Sequence, residues 1–256
     1  MKAVLLAGGF GTRISEESHF RPKPMIEIGG MPILWHIMKM YEYHGITDFI
    51  ICAGYKQNSI KEFFSNYAID NCDVTFDYRN GTTTIHNNFT EPWNVTVSDT
   101  GLNTMTGGRI KRIDKYLGDD ESFCLTYGDG VSDVPLDKVI KFHTSGKKLA
   151  TITAVHPEGR FGIMEMSGND VTSFREKKTE DTGWINGGFM VLDRGIMDHI
   201  DGDHITFERE PLEKLAKMGQ LNAYKHIGFW QCMDTLRDKE KLQKMWDEGT
   251  APWKKW

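Results

Sequence analysis

The sequence lacks several features that would settle its chemistry at once. No apolar run approaches the roughly 20 residues that a membrane-spanning helix needs, so no membrane partner is expected. The N-terminal stretch KAVLLA is too short for a secretory leader and runs straight into glycines, which points to the cytoplasm. The four cysteines, Cys52, Cys72, Cys124 and Cys232, are far apart and never spaced C-x-x-C. That excludes the usual structural zinc pattern and argues against a disulfide framework. The nine histidines form no H-x-H or H-x-x-x-H pair. There are no repeats, no low-complexity tracts and no Pro/Ser-rich linker. No strong positive charge is present either: the net charge is −5, which gives no reason to expect nucleic acid.

What is present suffices for a large core. A chain of 256 residues buries roughly 70–75% of its unfolded surface on folding. Lys2–Ala7, Phe49–Ala53, Ser122–Thr126 and Ala150–Val155 are short apolar runs, as expected of strands covered on both faces. Helical patterns over Pro32–His44, Asn58–Ile69 and Leu136–Thr144 alternate with them, which predicts βαβ units and a parallel sheet. Val74–Tyr78 and Thr82–His86 flank Asn80-Gly81, a hairpin signal. Beyond residue 156, RFGIMEMSGNDVTSFREK reads as an antiparallel meander and INGGFMVLD as a strand, with helices over Phe207–Met218 and Thr235–Asp247. The pattern predicts one α/β domain: a mostly parallel sheet flanked by helices, with a small antiparallel β appendage in the C-terminal part.

The glycine-rich turn GGFGTR after the first strand raises the question of which phosphate it holds. The P-loop string G-x-x-x-x-G-K-[ST] does not occur. The dinucleotide fingerprint fits Gly9 and Gly11 but meets Ile14 where its third glycine belongs, which weakens a hydride-transfer reading. A nucleotidyltransferase loop remains, in which backbone N–H groups form an anion-binding concavity and Arg13 and Lys23 add fixed positive charge.

In order along the chain, LLAGGFGTR, RPKPMIEIGGMPILWH, YGDG, EK, INGGF and FWQCMDT resemble the sugar-nucleotide pyrophosphorylases, which join a sugar 1-phosphate to a nucleoside triphosphate. The resemblance covers essentially the whole chain. It implies a single Rossmann-like nucleotidyltransferase domain over 1–256, with 1–156 as the nucleotide-binding part and 157–256 as the sugar-binding and C-terminal part. EPWNVTVSDTG and TMTGGRIKR are most similar to the members that use CTP and glucose 1-phosphate. Uridylyl or thymidylyl transfer, and a non-catalytic nucleotide-sugar-binding regulator, are the alternatives. Family analogy further implies a symmetric homo-oligomer and a product that feeds cell-surface polysaccharide such as the O-antigen of lipopolysaccharide.

The resemblance also assigns residues. Leu6, Ala7, Gly8, Gly9, Phe10, Gly11, Thr12, Arg13, Lys23, Thr104, Gly108, Arg109 and Gly128 would hold the nucleotide, with Arg13, Lys23 and Asp129 catalytic. Asp129 and Asp234 would bind Mg²⁺, a hard cation suited to carboxylates and phosphate oxygens. Gly162, Glu176, Lys177, Asn186, Gly187 and Trp230 would form the sugar site, although Lys178 stands where the family commonly has proline. Arg109 is further expected to read the cytosine edge through its donors, with Gly107 and Gly108 allowing close approach; the alternative is that it simply begins the basic face of the following helix, RIKR. The nucleophile is already ionised, so no general base is required, and the histidine spacing signals no histidyl-nucleotide intermediate. A direct, single displacement follows.

Overall fold

A computed structural model describes residues 1–11, 14, 21–87, 89–157, 163–167, 170–175 and 183–256. The first strand, β1 (Ala3–Ala7), leads to the two-residue strands β2 (Glu27–Ile28) and β3 (Met31–Pro32), then helix α1 (Ile33–Tyr43). Strand β4 (Asp48–Ala53), helix α2 (Gln57–Asn71), the hairpin β5 (Asp73–Asp77) and β6 (Thr82–His86), and strand β7 (Asn94–Asp99) follow. Next come helix α3 (Thr106–Arg112), strands β8 (Ser122–Tyr127) and β9 (Gly130–Ser132), helix α4 (Leu136–Gly146) and strand β10 (Ala150–Val155). The chain continues through β11 (Ile163–Ser167), β12 (Asp170–Arg175), β13 (Ile185–Asn186), β14 (Met190–Asp193), α5 (Glu210–Lys217), β15 (Leu221–Lys225), β16 (Trp230–Cys232) and α6 (Leu236–Asp247).

Strands β7, β4, β1 and β8 run parallel in that order. Strand β14 joins β8 antiparallel, β10 joins β14 antiparallel, and β15 pairs parallel with the far side of β10. The sheet is therefore mostly parallel but mixed, and three of its strands come from beyond residue 157. Alternate residues enter opposite layers, as the two-residue repeat of a strand requires. Ala3, Leu5 and Ala7 meet the side covered by α1, while Val4 and Leu6 meet the side covered by α3 and α5. With both faces buried, a continuous apolar run is the expected sequence signature.

The expected strand INGGFMVLD is broken in two. Asn186 and Ile185 pair with Ala154 and Val155, and Val191 and Leu192 pair with Thr151 and Ala150. Between them Gly188 takes φ +76 and Phe189 φ +44, so the chain bulges beside the site while the Gly187 amide and the Gly188 and Phe189 carbonyls stay bonded to Thr153 of β10. The late helix is shorter than expected, starting at Glu210 rather than Phe207. The Phe207 amide donates to the Thr106 hydroxyl at 2.9 Å, which holds residues 207–209 out of helical register.

Candidate active site

Two clefts open at the carboxyl end of the parallel strands, where open α/β sheets bind ligands. The first, about 580 Å³, is lined by Leu6 to Gly11, Lys23, Pro24, Leu102 to Thr106, Arg109, Tyr127 and Gly128, and by Asp129 and Asp234. The second, about 590 Å³, includes Thr106, Tyr127, Asp129, Asn186, Gly187, Glu208, Trp230, Cys232 and Asp234. The clefts share Thr106, Tyr127 and both aspartates, so a ligand filling one meets a ligand filling the other at the carboxylates.

Local pairing explains how two aspartates distant in sequence converge. Strand β9 pairs antiparallel with β16, setting Gly130 opposite Cys232, and the Met233 amide donates to the Asp129 carbonyl at 2.8 Å. Asp129 and Asp234 thereby flank the end of one short ladder. Helix α6 then anchors Asp234. Thr235 is its N-cap in a reciprocal capping box with Asp238, and the buried Asp238 carboxylate also accepts the Asp234 amide at 3.1 Å. Such an arrangement satisfies orphan amides at a helix start and fixes the turn before it.

Lys23 completes the centre. The turn Lys23–Met25 has Pro22 before it and the buried Pro24 inside it. The Lys23 ammonium donates to Asp129 Oδ2 and to Asp234 Oδ1, each at 2.6 Å. Burial works to lower the pKa of this lysine, but the two carboxylates outweigh it, and the net displacement is upward.

Arg109 forms part of the wall of the first cleft. Its guanidinium is buried and held by backbone and hydroxyl oxygens. Nη1 donates to Thr100 Oγ1 at 2.7 Å, Gly101 O at 2.8 Å and Ala53 O at 3.3 Å. Nη2 donates to Gly8 O at 3.1 Å and Leu102 O at 3.3 Å. Both amino groups thus make hydrogen bonds within the protein, while Arg109 also lines the first cleft. A Cβ on Gly8 would stand 2.1 Å from Nη1, so glycine there lets the phosphate turn lie on the guanidinium. Within RIKR, Arg109 and Ile110 are buried while Lys111 and Arg112 are exposed: Lys111 donates to Met197 O at 2.6 Å, and Arg112 pairs with Asp203. A Cβ on Gly108 would meet the Asp203 backbone at 2.5 Å, so glycine there allows a close approach to residue 203; Leu102–Thr106 and Arg109 form the cleft wall.

In the second cleft the Trp230 indole donates to Gly187 O at 2.7 Å, holding the bulge after β13. Asn186 accepts the Gly188 amide at 2.9 Å and donates to the Tyr127 hydroxyl at 3.2 Å. Tyr127 in turn donates to Glu208 at 2.8 Å. Burial first, then the Glu208 charge, push the Tyr127 phenol far above its ordinary pKa, so it stays a neutral donor. Thr12, Arg13, Gly162, Glu176 and Lys177 lie outside the described residues. Sequence reasoning missed Glu208, Tyr127, Thr106 and Cys232. Tyr127 is the tyrosine of the YGDG motif, but nothing in TFEREP marks Glu208 as a site residue.

Comparison with known proteins gives the chain's family and fold. The "Nucleotidyl transferase" family matches residues 2–235. The chain is 56% identical to a glucose-1-phosphate cytidylyltransferase of Salmonella typhi, covering 100% of both sequences. It is equally 56% identical, again over 100% of both, to its Salmonella typhimurium counterpart. A solved UDP-glucose pyrophosphorylase complexed with UDP-glucose shares the fold, with TM-score 0.69 at 15% identity, covering 97% of this chain and 98% of that one. The glycine turn, the paired aspartates and the two joined clefts are thus those of a member of the nucleotidyl transferase family, to which this chain belongs.

Proposed function

We propose that the chain transfers a cytidylyl group from CTP to α-D-glucose 1-phosphate, giving CDP-glucose and pyrophosphate. The full-length identity to two glucose-1-phosphate cytidylyltransferases supports the choice of substrates. The observation that carries the reaction type is the pair of clefts meeting at Asp129, Asp234 and Lys23. A triphosphate seated on Gly8–Gly11 and a sugar phosphate in the second cleft would bring two anions together there.

The reaction is attack by a sugar-phosphate oxygen on the α-phosphorus, with pyrophosphate leaving. The nucleophile is ionised at neutral pH, so the protein's task is positioning and charge neutralisation. Lys23 supplies a compact positive charge, and the glycine turn supplies backbone amides. Arg13 and Lys177 are proposed as further phosphate cations and Glu176 as an acceptor of sugar hydroxyls. The aspartate pair fits Mg²⁺: two hard oxygen donors already converge on one cationic centre. Among the described residues no cluster of three or more acidic, His or Cys side chains forms a closed metal cage, so phosphate oxygens and water would complete the shell. When bound, the ion neutralises phosphate charge as a Lewis acid. The same reading carries a cytoplasmic setting, a symmetric homo-oligomer and a product used in lipopolysaccharide O-antigen assembly. No helix among the described residues is long and apolar enough to cross a membrane. Pyrophosphate release across four nucleoside triphosphates and several sugar 1-phosphates tests the assignment. Turnover highest with CTP and glucose 1-phosphate is expected, and a preference for UTP or dTTP would overturn it.

A further inference from the structure

Glu208 lines the second cleft, and its carboxylate accepts from two hydroxyls, those of Tyr127 and Thr106. Oε1 accepts from Tyr127 Oη at 2.8 Å and Oε2 from Thr106 Oγ1 at 2.6 Å. The direction of both bonds follows from their neighbours. Thr106 Oγ1 accepts the Phe207 amide, so its own proton goes to Glu208. Tyr127 Oη accepts from Asn186 Nδ2, and the Asn186 amide is oriented by the Gly188 N–H on its oxygen. An ionised carboxylate offers about four lone-pair sites, and these bonds occupy one on each oxygen. Among the described residues no Lys or Arg forms an ion pair with Glu208. It nevertheless lines the second cleft beside Asn186 and Trp230. A half-buried carboxylate whose remaining acceptor sites face a ligand cavity requires donors to offset its desolvation.

We propose that Glu208 is a specificity-determining residue that accepts hydrogen bonds from hydroxyl groups of a neutral hexose, one from each available oxygen where the hydroxyls are vicinal. This rests on the assignment of the second cleft to the sugar 1-phosphate. Tyr127 and Thr106 preset the carboxylate as a pure acceptor, so a hydroxyl is admitted while a carboxylate-bearing or deoxygenated sugar is disfavoured at that position. The Thr106 bond also ties this wall to the nucleotide cleft.

The test combines Glu208→Gln with monodeoxy derivatives of glucose 1-phosphate. For the unmodified enzyme, removing the contacted hydroxyl should lower kcat/KM by about tenfold or more, because a buried acceptor is left unpaired. Glu208→Gln should raise KM for glucose 1-phosphate by a similar factor and leave KM for CTP nearly unchanged. The two losses should not add: the variant should no longer penalise the one derivative that the unmodified enzyme rejects. Equal losses on CTP and on every derivative would make Glu208 a scaffold residue and overturn the proposal. Unmodified enzyme indifferent to all the deoxygenations would overturn it too, whether or not the variant folds. Absence of turnover with any sugar 1-phosphate would instead fell the assignment of the cleft, and this inference with it.

Discussion

The Lys23 ammonium stands 2.6 Å from Asp129 Oδ2, and it makes the same contact with Asp234. One lysine thus bridges the two carboxylates proposed to bind Mg²⁺ and offsets part of their charge. In the free protein it relieves their mutual repulsion, and a bound divalent ion would release it toward the phosphates.

Removing that ammonium should therefore lower both stability and turnover. With Lys23→Met the aspartates face each other unneutralised, so the metal-free protein should melt lower than the unmodified one. Added Mg²⁺, without nucleotide, should then raise its melting temperature more than it raises that of the unmodified protein, by mass action on the folded state. Turnover should fall by roughly 10²–10³, as for loss of a preorganised charge at a reacting centre. Differential scanning fluorimetry across a Mg²⁺ series checks the first part, and an equal shift in both proteins would disprove displacement.

The aspartates themselves should be indispensable. Asp129→Asn and Asp234→Asn keep the shape and remove the charge, and each should lower kcat by about a hundredfold or more. EDTA should abolish turnover of the unmodified enzyme and Mg²⁺ restore it. Full activity of both variants would remove these residues from the proposed metal site.

Arg109 should behave as a positioning residue. Its amino groups join Gly8 of the phosphate turn to Ala53 and to residues 100–102. Lysine offers one compact donor head in place of a planar fork, so even Arg109→Lys leaves buried carbonyls unpaired. A loss of roughly 2–4 kcal/mol of stability is expected. A fall of about tenfold or more in kcat/KM should accompany it, for CTP and UTP alike. A collapse of the CTP-to-UTP ratio at unchanged stability would mean that the side chain reads the base after all.

The parts of this protein that sequence makes legible are those governed by local periodicity. Lys2–Ala7 and Phe49–Ala53 read as buried strands because both faces of the sheet are covered, and Asn80-Gly81 marks its hairpin through turn chemistry alone. Long-range pairings are different. Nothing near Arg109 indicates that its guanidinium meets a carbonyl 101 residues away at Gly8, and RIKR reads as a solvated charge run. Glu208 is silent for the same reason, its partners lying 81 and 102 residues distant. The glycine pair Gly187-Gly188 leaves a bulge open as an alternative in the sequence without deciding it, because glycine pairs are compatible with both a strand and its interruption.

His36 should make the fold acid-sensitive. The ring is fully buried on α1, with Nε2 2.8 Å from Ile28 O and Nδ1 3.4 Å from Trp253 Nε1. An indole N–H only donates, so Nδ1 is the acceptor and Nε2 carries the proton toward Ile28. A second proton would point Nδ1–H at the indole N–H and place a charge in the core. Burial, with a smaller push from the Lys254 charge, holds the pKa down at about 4 against an ordinary 6.5, although backbone bonds to Ile28 and Met31 act the other way. Because the folded value is depressed, the unfolded chain takes up the proton first. The associated stability is complete above pH 6.5 and is lost as pH falls toward 4. At 1.36 kcal/mol for each pKa unit, that loss amounts to about 3 kcal/mol. Carboxylates titrate over the same range, so the comparison needs a variant. In His36→Gln the amide can still donate to Ile28 O and accept from Trp253, but it cannot be protonated. Urea unfolding at several pH values from 7 down to 4 should show a shallower acid loss in His36→Gln than in the unmodified protein, by about the stated amount. Parallel curves would show that His36 does not set the acid limit.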